Sequence, residues 1–459
     1  MSHSLTEFEK INQIKTKLDS VSPSFCLVRW KHATLNLATG SSKSCCHHDF
    51  KPIDIKNTLD QLHDNPKEQT LRQKMIDGKR SKDCSYCWWV EDNKHNSDRQ
   101  NWSAKSWMSP YFDEVTENLT NKASSPSWVE LNFSSRCNMK CIYCSPIFST
   151  KWYEEIKTHG PYPTLIPHNN IKNLNHLEFE EKYENKELLE KFWPWFKNNI
   201  ESFRLLKITG GEPLLSNQTF KMLDLISEMK LPKLSFGINS NLNLPHQVWN
   251  SFLEKIKEIE KKNSVDRFYL HPSLDSFGER GEYIRTGLDM ELFKSNVESY
   301  LEQTNSHLHL ICTLNNLALG GLLEYWEYLL KIKKKFFKAN REISLGTELL
   351  HAPEWLNINL LPPNMEAYLE EVIDFVEKNI DECGRGFLYV ELEGLKKAKS
   401  TLFSKPKDEA AAKINFYRFI RELDIRRKSD FHKTFPELKD FYYSCEMLDL
   451  RNNMSQNDL

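Results

Sequence analysis

Six short apolar runs, separated by segments with helical periodicity, are the feature of this sequence that most limits its fold. Strands that alternate with helices favour right-handed βαβ units and a parallel sheet, either open or barrel-like. We therefore predict an α/β fold with reactive groups in the loops at the C-terminal strand ends. The predicted strands are WVELNF (128–133), FRLLKIT (203–209), LSFGINS (234–240), FYLHPSLD (268–275), LHLICTL (308–314) and REISLGTELL (341–350).

The polar segment TNKASSPS (120–127) predicts a linker, because small residues and a proline favour loop conformations. It divides the chain into an N-terminal domain (1–125) and a strand–helix domain (126–360). The pattern from 361 to 459 is mostly helical and charged, which predicts a C-terminal helical extension.

Charge and hydropathy exclude some classes of partner. The formal charge of −2 and the pI of about 6.7 give no global basic field for nucleic acid. We interpret the basic run KIKKKFFK (331–338) as the solvated face of an amphipathic helix. No apolar run is long enough to cross a membrane, and the N-terminus lacks the apolar core of a signal peptide. We expect a cytoplasmic protein whose eleven cysteines are metal ligands or buried thiols.

Three of these cysteines lie close together in SRCNMKCIYCS (135–145): Cys137, Cys141 and Cys144. A structural zinc site normally has four protein ligands, often in CxxC pairs. Three thiolates can instead hold three irons of a [4Fe–4S] cluster and leave the fourth iron open to a ligand. A zinc knuckle is the alternative.

The spacing CxxxCxxC, with Tyr143 before its last cysteine, resembles the radical S-adenosylmethionine (radical SAM) superfamily. The resemblance implies a partial (β/α)6 barrel and a [4Fe–4S] cluster that donates an electron to bound SAM. It further implies a 5′-deoxyadenosyl radical that abstracts hydrogen from a substrate, and an external electron donor such as flavodoxin or ferredoxin. No catalytic residue beyond the cluster is assigned.

A glycine-rich motif supports this resemblance. TGGEP (209–213) follows the second predicted strand, as the superfamily's GGEP motif does. Glycine lets a backbone approach a ligand closely. By resemblance, Gly210, Gly211 and Glu212 receive the amino group of SAM.

Further positions match SAM-binding positions of the superfamily. Ser240 and Asn241 resemble its Thr-Asn-Gly ribose motif, although Leu242 replaces the glycine and Asn239 is an alternative. Ser273 and Asp275 in HPSLDS (271–276) match the serine and aspartate of the family's fourth strand, and EYIRTGLD (282–289) contains Arg285. Arg285 is a candidate for the SAM carboxylate, because a guanidinium can donate two hydrogen bonds to it, or for a salt bridge on a helix surface. Asp275 is alternatively a helix N-cap.

The N-terminal cysteines Cys26, Cys45, Cys84 and Cys87 resemble a twitch (SPASM-like) domain, which implies an auxiliary [4Fe–4S] cluster. Such modules usually follow the barrel, whereas this one precedes it. Cys46 is an alternative to Cys45, as are His47 and His48, and structural zinc is an alternative to the cluster.

The resemblance implies a substrate class only broadly. Twitch and SPASM enzymes often modify peptide or protein side chains, and this is the substrate we expect. A nucleotide or small metabolite is the alternative substrate. A non-catalytic iron–sulfur or zinc protein that binds a partner is the alternative of another class.

Overall fold

The computed structural model describes residues 7–45, 47, 50–53, 62–92, 94–123, 125–171, 185–381 and 383–457. Its strands are β1 (His32–Asn36), β2 (Ser41–Lys43), β3 (Lys51–Pro52), β4 (Trp128–Asn132), β5 (Lys140–Cys141), β6 (Leu205–Thr209), β7 (Leu231–Ser240), β8 (Val265–Pro272), β9 (Arg285–Thr286), β10 (His307–Leu314) and β11 (Ile343–Leu349). Its helices are α1 (Glu7–Val21), α2 (Val28–Lys31), α3 (Pro66–Ile76), α4 (Ser85–Asp92), α5 (Asp98–Ser103), α6 (Phe112–Glu117), α7 (Thr150–His159), α8 (Lys186–Asn199), α9 (Asn217–Ser227), α10 (His246–Lys262), α11 (Gly278–Ile284), α12 (Met290–Gln303), α13 (Leu322–Lys335), α14 (Glu366–Lys378), α15 (Tyr389–Leu402), α16 (Glu409–Arg427), α17 (Phe431–Thr434) and α18 (Lys439–Asn457).

A large, mostly parallel sheet organises the molecule. Its strand order is β11-β10-β8-β7-β6-β4-β1-β2-β3. Neighbouring strands from β11 to β1 are parallel, and β1-β2-β3 is antiparallel. The six predicted strands correspond to β4, β6, β7, β8, β10 and β11, so the predicted α/β class with a parallel sheet is confirmed. Closure into a partial (β/α)6 barrel stays a prediction.

The two faces of the sheet differ in polarity. In β10, Leu308, Leu310, Cys312 and Leu314 are fully buried in the main hydrophobic core. The alternate residues of β10 are only half-buried and lie on the other face, because side chains alternate along a strand. We call this second side the polar face; from β4 to β10 it carries Glu130, Lys207, Asn239, His271, His309 and Thr313.

Helices of the chain cover the apolar side of the sheet. In α10, Trp249, Phe252, Leu253, Ile256 and Ile259 are buried, at the spacing that places residues on one helix face. The helix ends at Asn263, whose left-handed φ of +47° stops the helical hydrogen-bond pattern. Among the described residues, no helix is both long and apolar enough to cross a bilayer.

The N-terminal region shares the sheet with the rest of the chain. Strand β1 pairs in parallel with β4, from His32 opposite Trp128 to Asn36 opposite Asn132. Leu35 is fully buried in the core that also surrounds β4. The sheet therefore crosses the expected boundary at residue 125, and the division into domains stays a prediction.

The C-terminal helices pack against the sheet. One of their contacts shows that the interpretation of the run 331–338 as a solvated face was wrong at one residue. Lys333 of α13 was expected on a solvated face, but its side chain is fully buried. Its Nζ lies 2.7 Å from Glu391 Oε2, and Glu391 Oε1 accepts from the backbone N–H of Leu345 in β11. The interpretation of a solvated face was wrong for Lys333, because Glu391 of α15 pairs with its buried ammonium group.

Candidate functional site

The three clustered cysteines lie in a loop between β4 and α7, which we call the cysteine loop (residues 133–149). Cys137, Cys141 and Cys144 are half-buried, while the intervening Met139 and Ile142 are fully buried. Side chains of the N-cap and first turn of α7 donate hydrogen bonds to the loop backbone: Thr150 Oγ1 to Cys137 O (3.1 Å), Ser149 Oγ to Met139 O (2.7 Å) and Trp152 Nε1 to Cys141 O (2.8 Å). Apolar anchors and these hydrogen bonds therefore determine where the thiols lie.

The electrostatics of the three thiols fit a bound cationic cluster. Burial raises the pKa of all three thiols, that of Cys144 to about 12. The neighbouring thiolates raise the pKa of Cys137 further, whereas Arg285 and Arg427 lower that of Cys141. Metal ions bind thiolates and displace their protons, so iron would supply the charge that buried thiolates need. Three thiols of this kind fit a [4Fe–4S] cluster with one open iron.

The GGE segment (residues 210–212) docks on the cysteine loop. Gly211 N donates to Ser134 O at 3.2 Å, and Glu212 N donates to Arg136 O at 2.8 Å. A Cβ at Gly211 would lie 2.4 Å from Arg136 O, and Gly210 has a φ of +120°. Only glycine allows this approach without displacing the loop.

Glu212 joins the ends of β6 and β7. Its side chain is 1% exposed and accepts hydrogen bonds from Ser240 Oγ (2.9 Å), Asn241 N (2.7 Å) and Leu214 N (3.1 Å). Burial raises the pKa of Glu212 to about 7, against these hydrogen bonds, which lower it. The carboxyl group can therefore take up or release a proton near neutral pH.

Asn241, rather than its alternative Asn239, contacts the cysteine loop. Asn241 Nδ2 donates to Asn138 Oδ1 at 2.8 Å and lies 4.0 Å from Cys137 Sγ. Leu242, at the position of the motif's glycine, has the left-handed φ of +55° that glycine favours. The backbone shape expected of a glycine is thus present although the residue differs.

Arg285 lies inside the protein, not on a helix surface. Arg285 is the first residue of β9. This strand pairs with β5, and Arg285 lies opposite Cys141 in the register. Its Nε and Nη2 donate to the two oxygens of Asp275 at 2.9 and 3.1 Å, and its Nη1 lies 3.6 Å from Cys141 Sγ. Tyr143 OH donates to Asp275 Oδ2 at 2.7 Å. The salt bridge on a helix surface was therefore the wrong alternative.

Two further predictions concern the end of β8. Asp275 is not a helix N-cap, because α11 begins at Gly278 and its N-cap residue is Phe277. Asp275 instead accepts hydrogen bonds from Arg285, Tyr143 and the backbone N–H of Thr313. Ser273 N donates to Ser240 O at 2.9 Å, which brings Ser273 beside the β7 end of the site.

Arg427 belongs to this site and was missed by sequence reasoning. Its Nη1 donates to Lys140 O at 2.7 Å and to Thr286 Oγ1 at 2.9 Å, so it clamps β5 and β9 together. Its guanidinium also pairs with Glu155 and lies 4.8 Å from the centre of the Trp152 ring. No local motif surrounds Arg427 in α16, and only the fold brings it to the cysteine loop.

The four N-terminal cysteines line one cavity in the N-terminal region. Cys26, Cys84 and Cys87 are buried and Cys45 is half-buried. Burial raises the pKa of Cys26, Cys84 and Cys87, that of Cys87 to about 12, and the neighbouring cysteines raise these values further. Four thiols that influence one another around a common space fit a cluster with four protein ligands.

Buried arginines lie beside these thiols and would offset the charge of their thiolate forms. Arg29 Nη2 donates to Cys84 Sγ at 3.3 Å, while its Nη1 pairs with Glu68 Oε2 at 2.9 Å. Arg99 lowers the pKa of Cys26 and pairs with Glu91. Among the described residues, no group of three Cys, His, Asp or Glu side chains is arranged to hold a single metal ion.

The alternatives to Cys45 have different outcomes. Cys46 and His48 lie outside the described residues. His47 lines the same cavity, but its Nε2 lies 2.6 Å from Asp98 Oδ2 and its ring stacks on Tyr86 at 4.2 Å between centroids. Tyr86 in turn contacts His351, just after β11, at 5.8 Å between ring centroids. Tyr86 thus connects His47, at the cavity, with the segment that follows β11.

Comparison with known proteins finds only distant structural similarity. No protein-family model matches the chain, and no curated protein matches it significantly. Native anSMEcpe with bound AdoMet is 17% identical at a TM-score of 0.34, over 54% of this chain and 60% of that one. Streptococcus suis SuiB bound to S-adenosylmethionine is 12% identical at a TM-score of 0.37, over 75% of this chain and 68% of that one. This chain therefore spans about three fifths of the anSMEcpe structure, and values this low assign neither fold nor function.

Proposed function

We propose that this protein is a radical SAM enzyme. The observation that carries the proposal is the docking of the GGE segment on a loop with three clustered thiols, at the carboxyl ends of parallel strands. Ligands of open α/β sheets bind at this edge. The thiols and the GGE segment could therefore belong to a single cofactor-binding site.

The residues divide into cluster ligands and SAM ligands. Cys137, Cys141 and Cys144 would hold a [4Fe–4S] cluster, which when bound supplies the electron that cleaves SAM and starts hydrogen abstraction. Gly210, Gly211 and Glu212 would accept the amino group of SAM, and Ser240, Asn241 and Ser273 would bind beside the ribose. Tyr143 and the Arg285–Asp275 pair would lie beside the cluster ligand Cys141, and Arg285 Nη1, which does not bind Asp275, would donate to the SAM carboxylate.

Cys26, Cys45, Cys84 and Cys87 would hold an auxiliary [4Fe–4S] cluster. The support is their common cavity and the hydrogen bond from Arg29 to Cys84, which offsets negative charge. On the resemblance to twitch modules, the substrate is a peptide or protein side chain. The external reductant is a protein such as flavodoxin or ferredoxin.

The test is production of 5′-deoxyadenosine after anaerobic reconstitution with iron and sulfide, with SAM and dithionite. The wild type should produce it, and a variant with alanine at Cys137, Cys141 and Cys144 should not. That variant should keep iron in the N-terminal cavity; a fall to background iron with an intact fold would contradict the auxiliary cluster. Absence of 5′-deoxyadenosine from a wild type that holds its clusters and a candidate peptide would contradict the enzyme proposal.

A further inference from the structure

A lysine on the polar face of the sheet lacks a counterion. Lys207 lies in the middle of β6 and its side chain is half-buried. Among the described residues, the Lys207 ammonium group forms no ion pair and no hydrogen bond. Glu130, its register neighbour on β4, is hydrogen bonded instead to Thr34 Oγ1 at 3.3 Å. The Lys207 ammonium group is therefore available to an anionic ligand.

Two histidines lie beside Lys207. A Cβ on Gly237 would lie 2.7 Å from His271 Nε2 and 3.6 Å from Lys207 Cγ, so both side chains cover this glycine. His309 contacts His271 with ring centroids 5.5 Å apart and covers Gly346 in the same way. Lys207 and the two imidazoles therefore form one group, which we call the lysine–histidine cluster.

Polar atoms around this cluster also lack partners. His271 is 7% exposed, and its Nδ1 has no hydrogen-bond partner among the described residues. The same is true of Asn239 Oδ1, which lies opposite His271 in the β7–β8 register. Both atoms can therefore form a hydrogen bond with a ligand or with a water molecule.

The lysine–histidine cluster has a net charge of one positive unit near pH 7. Burial lowers the pKa of His309 to about 4 and that of His271 well below its ordinary value, and Lys207 lowers both further. Both imidazoles are therefore neutral near pH 7, and Lys207 supplies the only charge of the three side chains. One positive charge matches a carboxylate, whereas a phosphate dianion would remain uncompensated.

We propose that the lysine–histidine cluster binds a carboxylate group of the substrate. The inference rests on the proposed function, because the substrate meant is that of the proposed enzyme. It adds that this substrate carries a negative charge. Lys207 lies two residues before the end of β6, about 7 Å along the strand, and the GGE segment follows directly. A carboxylate held by Lys207 would thus reach the SAM-binding edge through a chain of several bonds. A peptide side chain or chain terminus provides such a group.

The test uses the reconstituted holoenzyme with SAM and ¹³Cε1-labelled histidine, followed by NMR. N-acetylglycine is the probe, and the neutral N-acetylglycinamide is its matched control. A bound carboxylate favours protonated imidazole, so the signals of His271 and His309 should shift saturably with the acid and not with the amide. His271→Gln and His309→Gln identify the two signals. In Lys207→Met, apparent affinity for the acid should fall about tenfold or more.

Lys233→Met, at an exposed lysine of β7, should leave the response unchanged. No shift in the wild type, an equal shift with the amide, or an unchanged response in Lys207→Met would overturn the inference. A larger response to inorganic phosphate would overturn the carboxylate assignment. Failure here with normal 5′-deoxyadenosine formation removes the carboxylate site alone, and leaves the enzyme proposal standing.

Discussion

At the scale of single residues, burial determines the protonation state of the candidate SAM ligand. Glu212 is buried and its pKa is raised from an ordinary 4.5 to about 7. A raised carboxyl pKa stabilises the fold below pH 4.5, and this contribution is lost as the pH rises through about 7. Above that pH the carboxylate of Glu212 is ionised and can pair with a cationic ligand.

We predict that SAM affinity rises with pH up to about 7 and then levels off, by at most tenfold per pH unit. The ammonium group of SAM favours ionised Glu212, so binding below pH 7 must release a proton. Calorimetry in buffers of different ionisation enthalpy measures both quantities. Glu212→Gln should abolish the pH dependence and Glu279→Gln, at an exposed glutamate, should retain it. Affinity independent of pH would contradict the role of Glu212.

Gly211→Ala should disrupt the cysteine loop. The new Cβ would lie 2.4 Å from the Arg136 carbonyl oxygen, a backbone atom that cannot move alone. We expect a loss of about 1–3 kcal/mol in the free energy of unfolding, and a lower iron content after reconstitution. Urea unfolding and iron analysis measure these changes. Gly394→Ala in α15 is the control, because its nearest contact would be 3.6 Å and helix propensity favours alanine.

At the scale of elements, contacts between distant segments complete the site. Helix α16 reaches the cysteine loop through Arg427, and the β5–β9 pair places Arg285 opposite Cys141. Burial alone would raise the pKa of Glu155, but Arg427, Lys140 and Tyr162 lower it to about 2. This depressed pKa stabilises the fold above pH 4.5 and the contribution is lost as the pH falls towards 2.

Arg427→Met should therefore destabilise the protein by about 2 kcal/mol at pH 7, because it removes one partner of a buried carboxylate. Lys140 and Tyr162 still bind Glu155, which limits the loss. Thermal unfolding of apo and reconstituted protein measures the effect. Arg421→Met, at an exposed arginine of the same helix, should change stability by less than about 0.5 kcal/mol. Equal effects of the two substitutions would contradict the role of Arg427 as a clamp.

At the scale of the whole molecule, the N-terminal region and the rest of the chain share one sheet. Strand β1 covers the edge of β4, and Leu35 and Leu37 enter the main core. Tyr86 and His351 form a second contact near the other edge of the sheet. The N-terminal region, which contains the cavity with four cysteines, thus contacts the strand–helix region through β1 and through Tyr86.

We predict that a fragment of residues 126–459 does not fold as a stable monomer. Without β1, the hydrogen-bonding edge of β4 and the apolar surface beneath Leu35 and Leu37 are exposed, which promotes aggregation. Size-exclusion chromatography and circular dichroism compare the fragment with the full chain. A monomeric fragment with cooperative unfolding would contradict this and support the predicted boundary at residue 125.

The sequence by itself determined six of the strands and the local motifs. Six apolar runs appear as β4, β6, β7, β8, β10 and β11 because alternating strands and helices have few ways to bury their apolar sides. The three cysteines and the GGE segment were recognisable because each is contiguous in the chain. Strand β1 (HATLN) was not predicted, since its short polar sequence becomes a strand only beside the edge of β4.

Only the tertiary structure decided which distant residues meet. It paired Arg285 with Asp275, brought Arg427 to the cysteine loop and grouped Lys207 with His271 and His309. These contacts depend on strand register and on the packing of α16, to which residues far apart in sequence contribute. Local patterns record the periodicity of a segment, but not the partner that its side chains will meet.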